Sequence, residues 1–184
     1  AGKVLFLGAS NYAAWQIAMS LGIAERRGWT RFDVIQPMYN LVKRQAEVEI
    51  LPLARAENLG VVTYSPVGGG LLSGKFRPGT RPNDGRLVEN ASYSRRYGDE
   101  WMLETAGAFG EFADARGVHP VTLAVAWAAA LPDVTCPIIG ARSLEQLQPS
   151  LDALDFELPA DLRDEISALS RRPPPATDRT EVQE

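Results

Sequence analysis

The side chains that could do chemistry in this chain cluster where apolar runs give way to turns. Ser10 and Asn11 follow one such run, and Gln36, Tyr39 and Asn40 a second. Tyr64, Ser65 and Pro66 follow a third, and Gly140, Ala141, Arg142 and Ser143 a fourth. No acid, base or nucleophile stands out among them. They are amides that can bond another amide, an aromatic ring that can stack, and an arginine where a helix pattern begins. Backbone N–H groups from Ser143 onward, with the helix dipole, suit an anion, and Arg142 can hold a phosphate through two parallel bonds. The set fits a large polar-aromatic ligand that carries phosphates. Each residue also has a plainer use. Ser143-x-x-Gln146 has the form of a capping box, Tyr64 can finish a core edge, and Asn11 and Gln36 can bond their own turns.

Gly68-Gly69-Gly70-Leu71-Leu72-Ser73-Gly74-Lys75 invites comparison with a phosphate loop. Phe76 stands where Ser or Thr must bind magnesium, which argues against a P-loop ATPase. Backbone amides of the stretch can still line a pyrophosphate, and Lys75 can add charge. His119 precedes Pro120 at a helix start and reads as a surface turn residue. Cys136 lies inside an apolar run and reads as buried and inert. The four tryptophans lie on helices or their flanks and read as packing.

These residues need elements to hold them. Apolar runs near 3–8, 33–37, 61–65 and 135–139 predict four strands, the first a continuous run buried on both faces. Ala14, Ile17, Ala18, Leu21 and Ala24 recur at helical spacing and Gly28 stops the helix. A second helix is predicted over 44–58, with Pro52 kinking it or shifting its start. Residues 66–98 are dense in glycine and proline and predict a loop of about 30 residues, a length usually reserved for function. Helices follow over 100–116, 120–131, 143–154, with Pro149 interrupting it, and 159–169. Residues 171–184 read as a flexible polar tail. Strands alternating with helices imply a parallel sheet, either half of a (β/α)8 barrel or a small doubly wound sheet, and in both function sits at the C-terminal ends of the strands.

The chain has 184 residues, 45% of them apolar and 23% charged, with a net charge of −4. That is ordinary globular composition, and an acidic balance gives no electrostatic reason to bind nucleic acid. No apolar run approaches a membrane span of about 20 residues, and the first residues are no signal peptide, so a cytoplasmic location is expected. One cysteine and one histidine exclude an internal disulfide and a multi-cysteine metal site. The length is well short of the roughly 250 residues of a complete (β/α)8 barrel.

Gly2-Lys3-Val4-Leu5-Phe6-Leu7-Gly8-Ala9-Ser10-Asn11-Tyr12 resembles the fifth strand of the aldo-keto reductases and the Ser-Asn that follows it. Gln36-Pro37-Met38-Tyr39-Asn40-Leu41 resembles their sixth. Tyr64-Ser65-Pro66-Val67, with Gly69 to Phe76, resembles the seventh strand and its long loop, and Ile138 to Leu147 the eighth strand and the NADP phosphate site. The resemblance is to the C-terminal half of the barrel. It implies an α/β fold, a parallel (β/α) half-barrel over residues 1–170, and NADP(H) as cofactor for carbonyl reduction by hydride transfer.

By position, the resemblance implies that Ser10, Asn11 and Gln36 bond the nicotinamide carboxamide and that Tyr64 stacks on the ring. Ser65, Val67, Gly69 and Lys75 would line the pyrophosphate, Arg86 belongs to the loop that closes over the cofactor, and Gly140, Arg142, Ser143 and Gln146 would take the 2′-phosphate side. Where the family often has Glu-Asn against adenine, this sequence has Pro149-Ser150. The family's catalytic Asp, Tyr, Lys and His lie in the first half of its barrel and have no counterpart here. Tyr39 and Tyr64 are the tyrosines nearest the site, and neither has an obvious lysine partner. The expected substrate is a small carbonyl compound, once an N-terminal half completes the barrel. A half-barrel leaves two open sheet edges, so a second copy or another chain is expected to cover them. The alternative is a non-catalytic module that binds a nucleotide or joins a complex.

Overall fold

The computed structural model describes residues 2–77, 80, 82–83 and 85–177. Four strands, β1 (Gly8–Ser10), β2 (Val34–Gln36), β3 (Gly60–Tyr64) and β4 (Cys136–Ile138), form one parallel sheet in the order of the sequence. Gly8 stands opposite Val34, Val34 opposite Gly60, and Val62 opposite Cys136. This is the parallel sheet that the alternation of runs predicts, and the partial (β/α) barrel that the resemblance implies. β1 and β4 end the sheet and are not paired with each other.

β1 starts later than expected. Val4, Leu5 and Phe6 are 68%, 77% and 73% exposed. The prediction of a strand buried on both faces over 3–8 is therefore corrected. Leu7 still meets β2's approach, its carbonyl accepting the Asp33 N–H at 2.8 Å, but β1 has a neighbour on one side only. The same reason corrects Cys136, which is exposed because β4 is the other edge. The tryptophans divide: Trp127 is buried, whereas Trp15 and Trp29 are 62% and 65% exposed and do not pack as expected.

Helix α1 (Ala14–Arg27) follows β1. Ala13 has no capping oxygen, but its N–H donates to Gln16 Oε1 at 2.8 Å. Gly28 closes the helix at φ 63°, a left-handed turn that only glycine adopts freely. Past β2, a 3₁₀ turn (Gln45–Glu47) precedes α2 (Ile50–Ala56). Pro52 shifts the start, since it sits in the first turn, where its missing N–H has no helical partner.

The segment predicted as a loop of about 30 residues holds two short helices, α3 (Arg86–Glu89) and α4 (Ala91–Tyr97). Asn90 makes the second possible: its side-chain oxygen accepts the N–H of Ser92 at 3.0 Å and of Tyr93 at 3.3 Å. Pro78, Gly79 and Asp84 of that segment lie outside the described residues.

Helices α5 (Glu100–Ala115) and α6 (Pro120–Ala129) follow, the latter capped by His119, whose Nδ1 accepts the Val121 N–H at 3.1 Å. α7 (Leu144–Leu151) runs through Pro149 rather than being interrupted there. The bond that proline removes would have reached the carbonyl of Glu145, which is exposed and can be hydrated. Pro149's own carbonyl accepts Thr122 Oγ1 at 2.6 Å. α8 (Ala160–Ala168) is last. Beyond it Arg171 lies over the Trp101 ring at 5.1 Å, and residues 178–184 of the predicted tail lie outside the described residues.

One core joins Ile17 and Leu21 of α1, Ile35 of β2, Leu51 of α2, Val61 of β3, Phe109 of α5, Trp127 of α6 and Ile166 of α8. Trp127 is its largest buried side chain, stacked on Tyr39 at 5.1 Å between ring centroids. Its Nε1–H donates to Ser167 Oγ at 3.0 Å. Trp127→Ala is expected to cost about 3–5 kcal/mol, read as a lowered midpoint in urea unfolding.

Candidate functional site

Four of the expected residues come together at the C-terminal ends of β1 to β3. Ser10 Oγ donates to the Gln36 carbonyl at 3.0 Å, which joins the ends of β1 and β2. Asn11 turns the chain out of β1 at φ 59°, and its Oδ1 accepts the Tyr64 hydroxyl at 2.6 Å. That bond reaches across β2 and holds the Tyr64 ring over the rim. It leaves the Asn11 NH2 group as a donor, beside the exposed amide of Gln36.

A second group lies beyond β3. Ser65 also has a left-handed backbone, φ 59°, and its carbonyl accepts the Gly68 N–H at 2.9 Å. The chain then coils through Gly68–Gly70, where the Gly70 N–H donates to the Val67 carbonyl at 3.1 Å. Gly69 takes φ 67°, and a Cβ there would stand 2.6 Å from the Tyr93 ring. Glycine is thus what lets α4 lie against the turn. Arg86 and Arg96 flank that ring, 5.2 and 5.1 Å from its centroid. Lys75 is exposed, and its side chain makes no hydrogen bond or ion pair among the described residues.

The third group is the start of α7. Ser143 Oγ accepts the Gln146 N–H at 3.3 Å, and Gln146 Oε1 accepts the Arg142 N–H at 3.2 Å, one residue earlier than in a regular capping box. The Arg142 guanidinium stands 3.6 Å from Glu89 of α3, both largely exposed. Glu89 therefore ties the segment carrying Arg86 to the end of β4. Gly140 is exposed just ahead of these residues.

Tyr39 is not part of this rim, which corrects its place among the strand-end candidates. Its side chain is wholly buried. Its hydroxyl donates to Glu47 Oε1 at 2.6 Å and accepts from Arg163 Nη2 at 2.9 Å. Arg44 holds the same carboxylate through two bonds of 2.9 and 3.0 Å. Burial, and then the Glu47 charge, push the Tyr39 hydroxyl far above the ordinary tyrosine value, against the pull of Arg163 and Arg44. It stays protonated near pH 7, and its proton is held by Glu47, away from the rim. Burial also raises Tyr97.

Sequence reasoning placed Asn40 at a strand end without a role, and passed over Lys43, Glu89, Tyr93 and Arg96. Asn40 donates from Nδ2 to the Ser65 carbonyl at 2.9 Å and to the Tyr97 hydroxyl at 3.2 Å. Lys43 is half-buried, and burial lowers its pKa, Arg96 adding to the effect and Asp99 opposing it. It lines a recess of about 370 Å3 with Asn11, Tyr12, Pro37, Met38 and Ile50. Another recess, between Trp101 of α5 and Leu169, holds none of the strand-end residues. Among the described residues no group of three acidic, histidine or cysteine side chains could hold a metal, and no helix is long and apolar enough to cross a membrane.

The profile described as Aldo/keto reductase family matches residues 1–171. The chain is 37% identical, over 85% of its length and 46% of the relative's, to Uncharacterized oxidoreductase YrpG of Bacillus subtilis (strain 168). It is 34% identical, over 84% of its length and 48% of the relative's, to an Arabidopsis thaliana protein named Probable voltage-gated potassium channel subunit beta. It is 31% identical, over 84% of its length and 46% of the relative's, to Aflatoxin B1 aldehyde reductase member 2 of Rattus norvegicus. The chain thus spans about half the length of these curated relatives.

The raised hydroxyls of Tyr39 and Tyr97 set an alkaline limit. An unfolded tyrosine ionises near pH 10, whereas these two stay protonated in the fold. Their contribution is therefore complete below about pH 10 and is lost as pH rises above it. Titration followed by tyrosinate absorbance is expected to show their ionisation only together with loss of tertiary structure. Ionisation of all five tyrosines in a chain that keeps its near-ultraviolet circular dichroism would contradict the buried network.

Proposed function

We propose, since the chain belongs to the Aldo/keto reductase family, that it is the cofactor-binding half of an NADPH-dependent carbonyl reductase. The observation that carries the reading is the Tyr64–Asn11 bond of 2.6 Å. It sets an aromatic face beside two amides with free donors and acceptors, the donor set that a nicotinamide carboxamide needs. When bound, NADPH would supply the hydride that reduces a carbonyl carbon. The residues of this chain bind and orient: Asn11 and Gln36 meet the carboxamide, with Ser10 holding the two strand ends in register. Tyr64 stacks, and the coil of Ser65, Val67 and Gly69, with Lys75, lines the pyrophosphate. Arg86 belongs to the segment laid over that coil. Arg142, with Ser143, Gln146 and the backbone at Gly140, takes the 2′-phosphate, exchanging Glu89 for it.

The developing alkoxide also needs a proton donor and polarising groups. Tyr39 is buried away from the rim, and Tyr64 is committed to stacking. In this reading the Asp, Tyr, Lys and His come from an N-terminal half, which pairs with the open edges of β1 and β4 and completes a protein of the relatives' length. We assign residues 1–170 to the half-barrel and 171–184 to a tail, and expect the whole protein to act in the cytoplasm on small carbonyl compounds, without nucleic acid or membrane. A second reading is a non-catalytic module that holds a nucleotide within a complex. Its support is the likeness to a protein named as a potassium channel subunit.

The two readings separate in one experiment. The 184-residue chain alone is expected to bind NADPH, seen as quenched tryptophan fluorescence, and not to reduce an aldehyde above background. Addition of the N-terminal half of a full-length relative is expected to restore turnover. Binding without turnover after completion favours the module, and absence of binding overturns both. Turnover by the chain alone, lost in Tyr39→Phe, would show that the acid has been misplaced. Within the first reading Arg142→Ala should weaken NADPH by about 1.5–3 kcal/mol and erase the preference over NADH. Equal affinity for both nucleotides before and after the change removes Arg142 from the site.

A further inference from the structure

We infer that the recess beside Asn11 takes the acid group of the substrate, with Lys43 as its anchor. The substrate class is a carbonyl compound that carries a carboxylate on a small apolar body. The inference rests on the reading of the rim as a cofactor bed, because that reading puts the reacting carbon next to Asn11 and Tyr64.

The position of Lys43 is fixed from below. Its N–H donates to the Asn40 carbonyl at 2.9 Å, and its own carbonyl accepts the Asn40 N–H at 3.4 Å. Asn40 is wholly buried and is itself bonded to the Ser65 carbonyl and the Tyr97 hydroxyl. The ammonium stands 5.8 Å from the centre of the Tyr97 ring. It forms no ion pair and no hydrogen bond in the described structure, although a lysine ammonium has three protons to give. The charged groups that face it are Asp99, which favours its charge, and Arg96, which opposes it.

Burial makes this charge unfavourable and lowers its pKa, although the Tyr97 ring face and Asp99 partly support it. An anion in the recess would relieve it. The walls decide which anion. Tyr12, Pro37, Met38 and Ile50 are largely apolar, Gln45 adds one amide, and Asn11 stands at the border with the rim. Arg96 is turned over Tyr93, and the phosphate-type donors lie in the separate group at Gly69 and Arg142. One ammonium at an apolar wall suits a singly charged carboxylate on a ring or short chain better than a phosphate. A volume of about 370 Å3 accepts a group of that size.

Benzoate and its neutral counterpart benzamide probe the recess directly. Dissociation constants would be measured by nuclear magnetic resonance on the 184-residue chain, with and without saturating NADPH. Benzoate is expected to bind at least tenfold more tightly than benzamide and to shift the Lys43 side-chain signals. Lys43→Gln is expected to abolish the difference, and Lys43→Arg to keep most of it. NADPH affinity, followed by fluorescence, should be unchanged in both variants. Equal binding of the two probes to the unaltered chain overturns the inference without need of a variant. So does a Lys43→Gln chain that still prefers benzoate, or one whose loss of benzoate is matched by loss of NADPH, which would place Lys43 in the nucleotide bed. If benzoate responds to Lys43 while NADPH does not bind at all, the acid pocket stands and the cofactor reading falls.

Discussion

The arrangement of the strand ends depends on Asn40. Its side chain is wholly buried and fully used: Oδ1 accepts the Val42 N–H at 3.1 Å, and Nδ2 donates to the Ser65 carbonyl and the Tyr97 hydroxyl. One amide thereby joins the turn after β2, the left-handed exit from β3 and the last residue of α4. A buried amide deprived of such partners costs about 1–3 kcal/mol for each orphaned group, so the three segments are constrained together. Tyr64 begins at a position held this way, and so does the coil that ends in Gly69.

Beneath that pivot a charged cluster performs a different task. Glu47 is gripped by Arg44 and by the Tyr39 hydroxyl, which in turn accepts from Arg163 of α8. Arg44 also donates to the Ser167 carbonyl at 3.0 Å. The cluster fastens α8 to the segment after β2, Glu47 offsetting one of its two arginine charges, with Trp127 stacked against Tyr39 and Arg163 5.0 Å from the centre of the Trp127 ring. The short stretch from Gln36 to Glu47 thus divides its polar side chains between two sides. Gln36 faces the rim, Lys43 the recess, and Tyr39, Arg44 and Glu47 the helical layer.

What was legible in the sequence is what local spacing determines. The four apolar runs and the period of α1, with its glycine stop, follow from contacts within a few residues. The Ser143–Gln146 cap is local too. Tyr39 and Tyr64 look alike at strand ends, yet one is interior and the other on the rim. The difference comes from Arg163, 124 residues away in the chain, which no spacing rule reveals. Asn40 and Gln36 were equally indistinguishable, because the partners of Asn40 are a backbone carbonyl at 65 and a hydroxyl at 97. Among glycines and prolines, α4 had a signal in Asn90 as a cap, but composition outweighed it. Exposure of Phe6 and Cys136 depends on what stands beyond an edge strand, and the strand's own residues carry no record of it.

Both edges of the sheet present unpaired backbone, with Leu5 and Phe6 exposed just ahead of β1 and Ile138 exposed in β4. They are different surfaces, so pairing of the β1 edge of one copy with the β4 edge of the next is head-to-tail. Such contacts have two outcomes: a ring that closes, or a strand-by-strand array that grows without a defined end. A net charge of only −4 offers little repulsion against the second. The solubility of this chain is therefore a question of geometry: whether the curvature of four strands returns the last edge to the first, or carries each new copy further from it.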